Sequence, residues 1–221
     1  LSFTTPALRG FNITFNPGLV YGTVTDIDGN VYQTVPIGSQ VWMTENLRVA
    51  HYRNGDAIPI ATDGVTWAGL TTGAYCDYNN DEGNTAAYGR LYNWYAVGDS
   101  RNIAPEGWHV PTDDEWIVME LALGMKPADA YISFGDRAAR IGAKMKTTGD
   151  LEYSGGLWHH PNEATNESGF SAVPGGWLYF GRFASLGYEA YFWSSTAYNS
   201  TDAWRRDLIH NYSWILRGYS V

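Results

Sequence analysis

The sequence predicts an α+β fold. Three observations predict it: a hairpin pattern near the N-terminus, two helical patterns in the middle, and a run of short alternating segments from residue 169 to the end. Strands and helices in separate stretches, without βαβ alternation, fit an antiparallel sheet with segregated helices. The 221 residues suffice for one domain with a sizeable core. We expect that domain over residues 21–221, preceded by an extended N-terminal arm over residues 1–20.

The arm, LSFTTPALRGFNITFNPGLV, alternates weakly and carries two prolines, so its ordering is expected to depend on a partner: a pilus, a fibre or a second copy of the chain. YGTVTDIDGNVYQTVPIG then alternates around Asp28-Gly29, a strong hairpin turn. IDGN also looks like a calcium-loop fragment, but no later acidic ligand has the right spacing. SQVWMTENL places Val41, Trp42 and Met43 in a short buried strand. Residues 49–88 are irregular, and loops of this length are usually functional. Within them Asp77, Asn79 and Asp81 alternate like the start of an oxygen-ligand loop, but Gly83 falls one place late for an EF-hand and the bidentate Glu is missing. An Asx-rich turn is the plainer expectation.

YGRLYNWYAVG (88–98) fits a core helix with Leu91, Trp94, Tyr95 and Gly98 on one face, and a sugar-stacking platform as the sharper alternative. In PEGWHVPTDDEW, Thr112 and Glu115 form a capping box, Asp113 and Asp114 favour the positive helix end, and Trp108 and Trp116 pack. The helix continues with Trp116, Met119 and Leu123 inward and stops at Gly124. GDRAARIGAKMK predicts a second helix with Ala138, Ile141 and Met145 inward. In the loop that follows, His159-His160 beside Glu163 resembles a ligand cluster, but adjacent residues point to different faces and a solvated loop is expected; His109 likewise lacks a partner set. GFSAVPGGWLYFG, FASLGYEAYFWSSTAY, DAWRRDLIH and SWILRGYSV each predict a strand.

Composition excludes several functions. The net charge of −9, from 14 Lys+Arg against 23 Asp+Glu, argues against nucleic acid. Cys76 is the only cysteine, so the chain forms no internal disulfide. No apolar run reaches the ~18–20 residues of a membrane span. The chain opens on Leu1 and shows no signal peptide, which fits a mature or trimmed form. There is no GxGxxG, P-loop or GxSxG motif, and neither metal nor cofactor is expected. A polysaccharide-acting enzyme would need two carboxylates across a cleft, for which Glu152 with Glu163 or Asp207 are candidates. The 10 Trp, 16 Tyr and 25 Gly suit a loop-rich binding surface instead.

GSQVWMTENL, YGRLYNWYAV, APEGWHVPTDDEW, NESGFSAVPGG and YFWSSTAYNSTDAW together resemble the Fibrobacter succinogenes major paralogous domain family, over about residues 21–221. The resemblance implies a C-type-lectin-like fold and a protein of the cell surface, secreted, or carried on a phage particle, typically of Bacteroidetes. The family often carries Cys where this chain has Ala104 and another Cys beyond Val221, which implies that one disulfide has been lost here. The formylglycine-generating branch of the fold needs two thiols, or a thiol and a metal site, and the lectin calcium motifs are absent. The variable proteins of diversity-generating retroelements are the better match; in them the last strands are diversified.

The expected ligand-binding residues lie in 198–217: Tyr198, Asn199, Asp202, Trp204, Arg205, Arg206, Asp207, His210, Asn211, Tyr212, Trp214 and Arg217. Strand alternation would turn about half of them outward, and Trp, Tyr and Arg dominate binding hot spots. The expected function is a non-enzymatic adhesin or receptor-binding module that takes a protein or glycan, with a structural surface module as the bland alternative.

Overall fold

A computed structural model describes residues 13–220 except 136, 138, 139 and 180. The expected inward placement of Ala138 and the first twelve residues of the arm lie outside the described residues. Residues 13–20 are held by the domain itself. Ile13 packs beside Tyr88, Leu157 and Val173, Leu19 packs on the main core, and Asn16 Nδ2 donates to the Asn166 carbonyl at 3.0 Å.

The first sheet is antiparallel: β1 (Gly22–Thr25), β2 (Val31–Ile37) and β3 (Gln40–Met43). Its hairpin turn is built on Asp26, whose carboxylate accepts from Asp28 N (3.0 Å), Asn30 N (2.9 Å) and Tyr32 OH (2.6 Å), with Gly29 at φ +83°. That acceptor set is an Asx-type turn. β3 is buried on one face only: Trp42 points inward while Val41 is 56% exposed, correcting the expected buried strand.

The middle of the chain is made of short pieces: α1 (Gly64–Gly69), β4 (Tyr75–Cys76), α2 (Thr85–Tyr88), β5 (Leu91–Tyr92) and α3 (Trp94–Val97). The helix expected over 88–98 is therefore replaced by strand, cap and one helical turn. Asn93 makes the break, its side-chain oxygen accepting from Ala96 N and Ala74 N at 3.0 Å each. Gly89, at φ +73°, lies so close to Asn46 that a Cβ would come within 2.4 Å of its side chain. Cys76, the last residue of β4, is buried, and burial pushes its thiol up to about 12. The alternating acids form turns: Asp77 accepts from Thr85 OH (2.6 Å) and Arg90 (3.2 Å), and Asp81 from Gly83 N (2.9 Å). Among the described residues no group of three His, Cys, Asp or Glu is placed to hold a metal.

Helix α4 (Asp113–Ala122) begins with the expected capping box of Thr112 and Glu115, buries Trp116 and Met119, and is followed by Gly124 at φ +103°. Of the second expected helix, α5 covers Ile141–Met145, with both named ends buried. Asp113 does more than favour the helix end. With Glu120 it forms a buried ionic network: Asp113 binds Arg206 (2.7 Å) and Arg217 (2.6 Å), and Glu120 binds Arg137 (3.0 Å) and Arg206.

The C-terminal sheet runs in the order β10-β9-β8-β6-β7, where β6 is Gly175–Tyr179, β7 Arg182–Leu186, β8 Glu189–Ala197, β9 Ala203–Ile209 and β10 Leu216–Ser220. It is mixed, not purely antiparallel, because β6 and β8 pair in parallel at Gly176 and Ala190. The stretch from Phe183 to Tyr198, expected as one strand, turns at Gly187 (φ +82°). β7 folds back on β6, so β8 returns in β6's own direction on its other edge. The core sits between this sheet, α4 and β3, around Trp42, Trp116, Phe170 and Phe192, whose rings contact one another at 4.9 to 6.0 Å.

Candidate ligand-binding cleft

A cleft of about 1100 Å³ opens from this aromatic quartet toward the loops 88–110 and the β6–β8 region. Trp67, Trp94, Trp108, Trp177 and Trp193 line it. Trp94 and Trp193 form a floor, with one side packed on the second buried cluster of Val49, Tyr52, Ile58 and neighbours. Among the described residues Trp67, Trp94, Trp108 and Trp193 make no ring–ring pair, whereas Trp42 and Trp116 in the core each make several.

Three of these rings are fixed through their indole N–H groups, and the other two are carried on fixed segments. Trp193 Nε1 donates to the Tyr92 carbonyl (2.9 Å), Trp94 Nε1 to the Ser194 carbonyl (3.3 Å) and Trp177 Nε1 to Glu189 (2.9 Å). The loop carrying Trp108 is clamped by Arg53, whose guanidinium donates to the carbonyls of Ala104 (3.1 Å), Pro105 (2.7 Å) and Trp108. Trp67 sits on α1, capped by Asp63 accepting from Thr66 N at 2.8 Å. Gly64 seats that helix on the β6–β7 turn so closely that a Cβ there would stand 2.3 Å from Gly181 Cα. Such pre-set geometry lowers the ordering cost of binding.

The charged side chains that line the cleft are already paired. Glu45 meets Arg48 (3.0 Å), Arg90 meets Asp77 (3.2 Å), His109 meets Glu115 (2.8 Å) and Arg205 meets Asp207 (3.1 Å). Arg205 also lies over the Tyr191 ring at 4.5 Å. The Arg205–Asp207 contact is out of line for a hydrogen bond, leaving Arg205 Nε and Asp207 Oδ1 buried without one. Burial, with Glu189 adding repulsion, therefore outweighs the nearby guanidinium and pushes the Asp207 carboxyl up to about 7.

The twelve residues expected on one surface fall into separate places. Arg206, Asp207 and Arg217 are buried, which corrects their expected outward position. Arg206 and Arg217 face α4 and neutralise Asp113 and Glu120; Asp207 lies beneath Arg205 on the opposite face of β9. Of the twelve, only Arg205 lines the cleft. Tyr198, Asn199, Asp202 and Trp204 gather at the other end of β9, where Tyr198 stacks on Tyr219 at 3.7 Å and Arg217 covers Trp204 at 3.5 Å. His210, Asn211, Tyr212 and Trp214 belong to the β9–β10 turn; Tyr212 stacks on Trp214 at 4.7 Å and His210 meets Tyr188 edge-on. Buried Lys146 pins that turn, donating to the carbonyls of Ile209 (3.0 Å), His210 (2.6 Å) and Tyr212 (3.0 Å).

His159 and His160 do not share a ligand: His159 contacts Glu152 and stacks on Tyr188, His160 pairs with Asp150 at 3.0 Å, and Glu163 lies 3.6 Å from Arg140. Trp67, Trp177 and Arg53 escaped sequence reasoning. A tryptophan inside the polar run ATDGVTWAGLTTG was the one available signal for Trp67.

All of the cleft lining except Ser220 falls within one homologous unit, since the model of the Fibrobacter succinogenes major domain matches residues 35–219. The chain belongs to this family. As a member of the Fibrobacter succinogenes major domain family it carries the cleft, the capping box and the buried ionic network inside the matched span. No curated protein and no solved structure matches the chain. No helix among the described residues is long and apolar enough to cross a membrane.

Proposed function

We propose that this domain is a non-enzymatic ligand-binding module, an adhesin or receptor-binding protein of a cell surface, a secreted fraction or a phage particle. Its scaffold on this proposal is a C-type-lectin-like variant, and its C-terminal strands and adjoining loops hold a protein or glycan. The observation that carries the proposal is the set of cleft tryptophans, fixed through their indole N–H groups or backbone but not stacked on one another. Large rings held still with open faces are the feature that anchors ligands. Residues 1–20 serve as the attachment arm, rooted on the domain through residues 13–20, and diversification of the last strands by a retroelement belongs to the same proposal.

Asp207 favours a hydrolytic alternative, because its carboxyl stays protonated up to about 7. It is buried beneath Arg205 and Tyr191, however, and does not line the cleft, so it has no path to a glycosidic oxygen. The discriminating experiment applies the purified chain to arrays of glycans and surface proteins and assays any ligand found for turnover. Binding without turnover is expected. Turnover abolished by Asp207→Asn would replace the binder with an enzyme.

A further inference from the structure

We propose that the cleft takes a neutral polysaccharide segment, its pyranose faces laid on Trp67 and Trp108; this rests on the binding function proposed above. Four observations converge on that chemistry. The rings supply flat apolar platforms, which match the C–H face of a pyranose. Among the described residues the indole N–H groups of Trp67 and Trp108 have no protein partner, although those of Trp94, Trp177 and Trp193 do, so these two rings keep a donor for a hydroxyl. Of the charged side chains lining the cleft, Glu45, Arg90, His109 and Glu115 stand within 3.2 Å of a polar partner of opposite type and Arg205 lies over the Tyr191 ring at 4.5 Å, so none stands open in the cleft to select a charged ligand. The volume, about 1100 Å³, exceeds the roughly 300–1,000 Å³ that enclose a drug-sized molecule, so the cleft suits several linked sugars.

The two rings reach the cleft from different elements. Trp67 comes from α1, seated by the Gly64–Gly181 approach, and Trp108 from the loop clamped by Arg53. A ligand spanning both would be gripped by segments far apart in sequence, without any metal bridge. Being neutral, it would gain nothing from charge steering, so its affinity would be insensitive to salt.

Affinity electrophoresis of the full 221-residue chain tests this, using gels containing mixed-linkage β-glucan, xylan or galactomannan as neutral probes and polygalacturonate as an anionic one. We expect retardation by at least one neutral gel, equal at low and high salt, and weakened about tenfold by Trp67→Ala and by Trp108→Ala, as for a binding hot spot. Tyr131→Ala and Tyr153→Ala, exposed and outside the cleft lining, should leave it unchanged, and circular dichroism should show all four variants folded. Retardation by polygalacturonate alone, by no gel, or equally for wild type and both tryptophan variants would overturn the glycan assignment. If protein arrays then yield a ligand that needs Trp67, the cleft stands as a binding site and only its ligand class falls. If neither glycan nor protein arrays yield a ligand, the binding function falls with it.

Discussion

Two aromatic groups in this domain obey different rules. In the core, Trp42, Trp116, Phe170 and Phe192 satisfy one another, ring against ring at 4.9 to 6.0 Å. In the cleft, Trp67, Trp94, Trp108 and Trp193 are tied to backbone or carried on short elements, and among the described residues no second ring pairs with them. The core rings give their faces to folding; on the proposed function the cleft rings keep theirs for a ligand. Burial and ring pairing together, rather than tryptophan content alone, separate scaffold from site.

The sharpest way to break this comparison is to damage the scaffold. Trp116→Ala should cost about 3–5 kcal/mol, since it opens a cavity inside the quartet. Glu120→Ala should cost a similar ~3–5 kcal/mol by leaving buried Arg137 and Arg206 without their shared carboxylate. Urea unfolding measures both, and a change below about 1 kcal/mol in either would remove the core's claim to be the structural half. Lys146→Met should cost less, about 2–3 kcal/mol, by stranding three carbonyls of the β9–β10 turn. Its loss should appear first as faster amide exchange at residues 209–214.

A smaller effect depends on pH. The Asp207 carboxyl stays protonated in the folded chain up to about 7, whereas an unfolded one ionises near about 4. Between those values the folded state binds more protons, so this group's contribution falls as pH rises through the window. Asp207→Asn should flatten that fall by on the order of 1–2 kcal/mol. Asp113 acts in the opposite sense. Arg217 and Arg206 outweigh its burial and hold its carboxyl below the usual range, so its contribution is present above that range and lost on acidification. Melting temperatures of wild type and Asp207→Asn from pH 4 to 8 separate the two; parallel curves would contradict the Asp207 assignment.

Much of the scaffold was legible because its signals are local. The Asp28-Gly29 turn, the Thr112–Glu115 box and the inward Trp116 and Met119 depend on neighbours a few residues away. What failed depends on distant partners. Alternation could not reveal that Arg206 and Arg217 meet Asp113, some 93 and 104 residues earlier. Apolar spacing over 88–98 fitted a helix, but Asn93 binds Ala74 as well as Ala96 and breaks it. The cleft is least legible: Trp67, Trp108, Trp177 and Arg53 come from four separate segments, and its place beside the capping box makes Trp108 read as a packing residue.

The most direct test of the two-group account is urea unfolding of the Trp67→Ala/Trp108→Ala double variant. Because these rings give little to folding, we predict a stability within about 1 kcal/mol of wild type. A loss of several kcal/mol, of the size that Trp116→Ala alone should produce, would show that the cleft rings are scaffold and contradict the account.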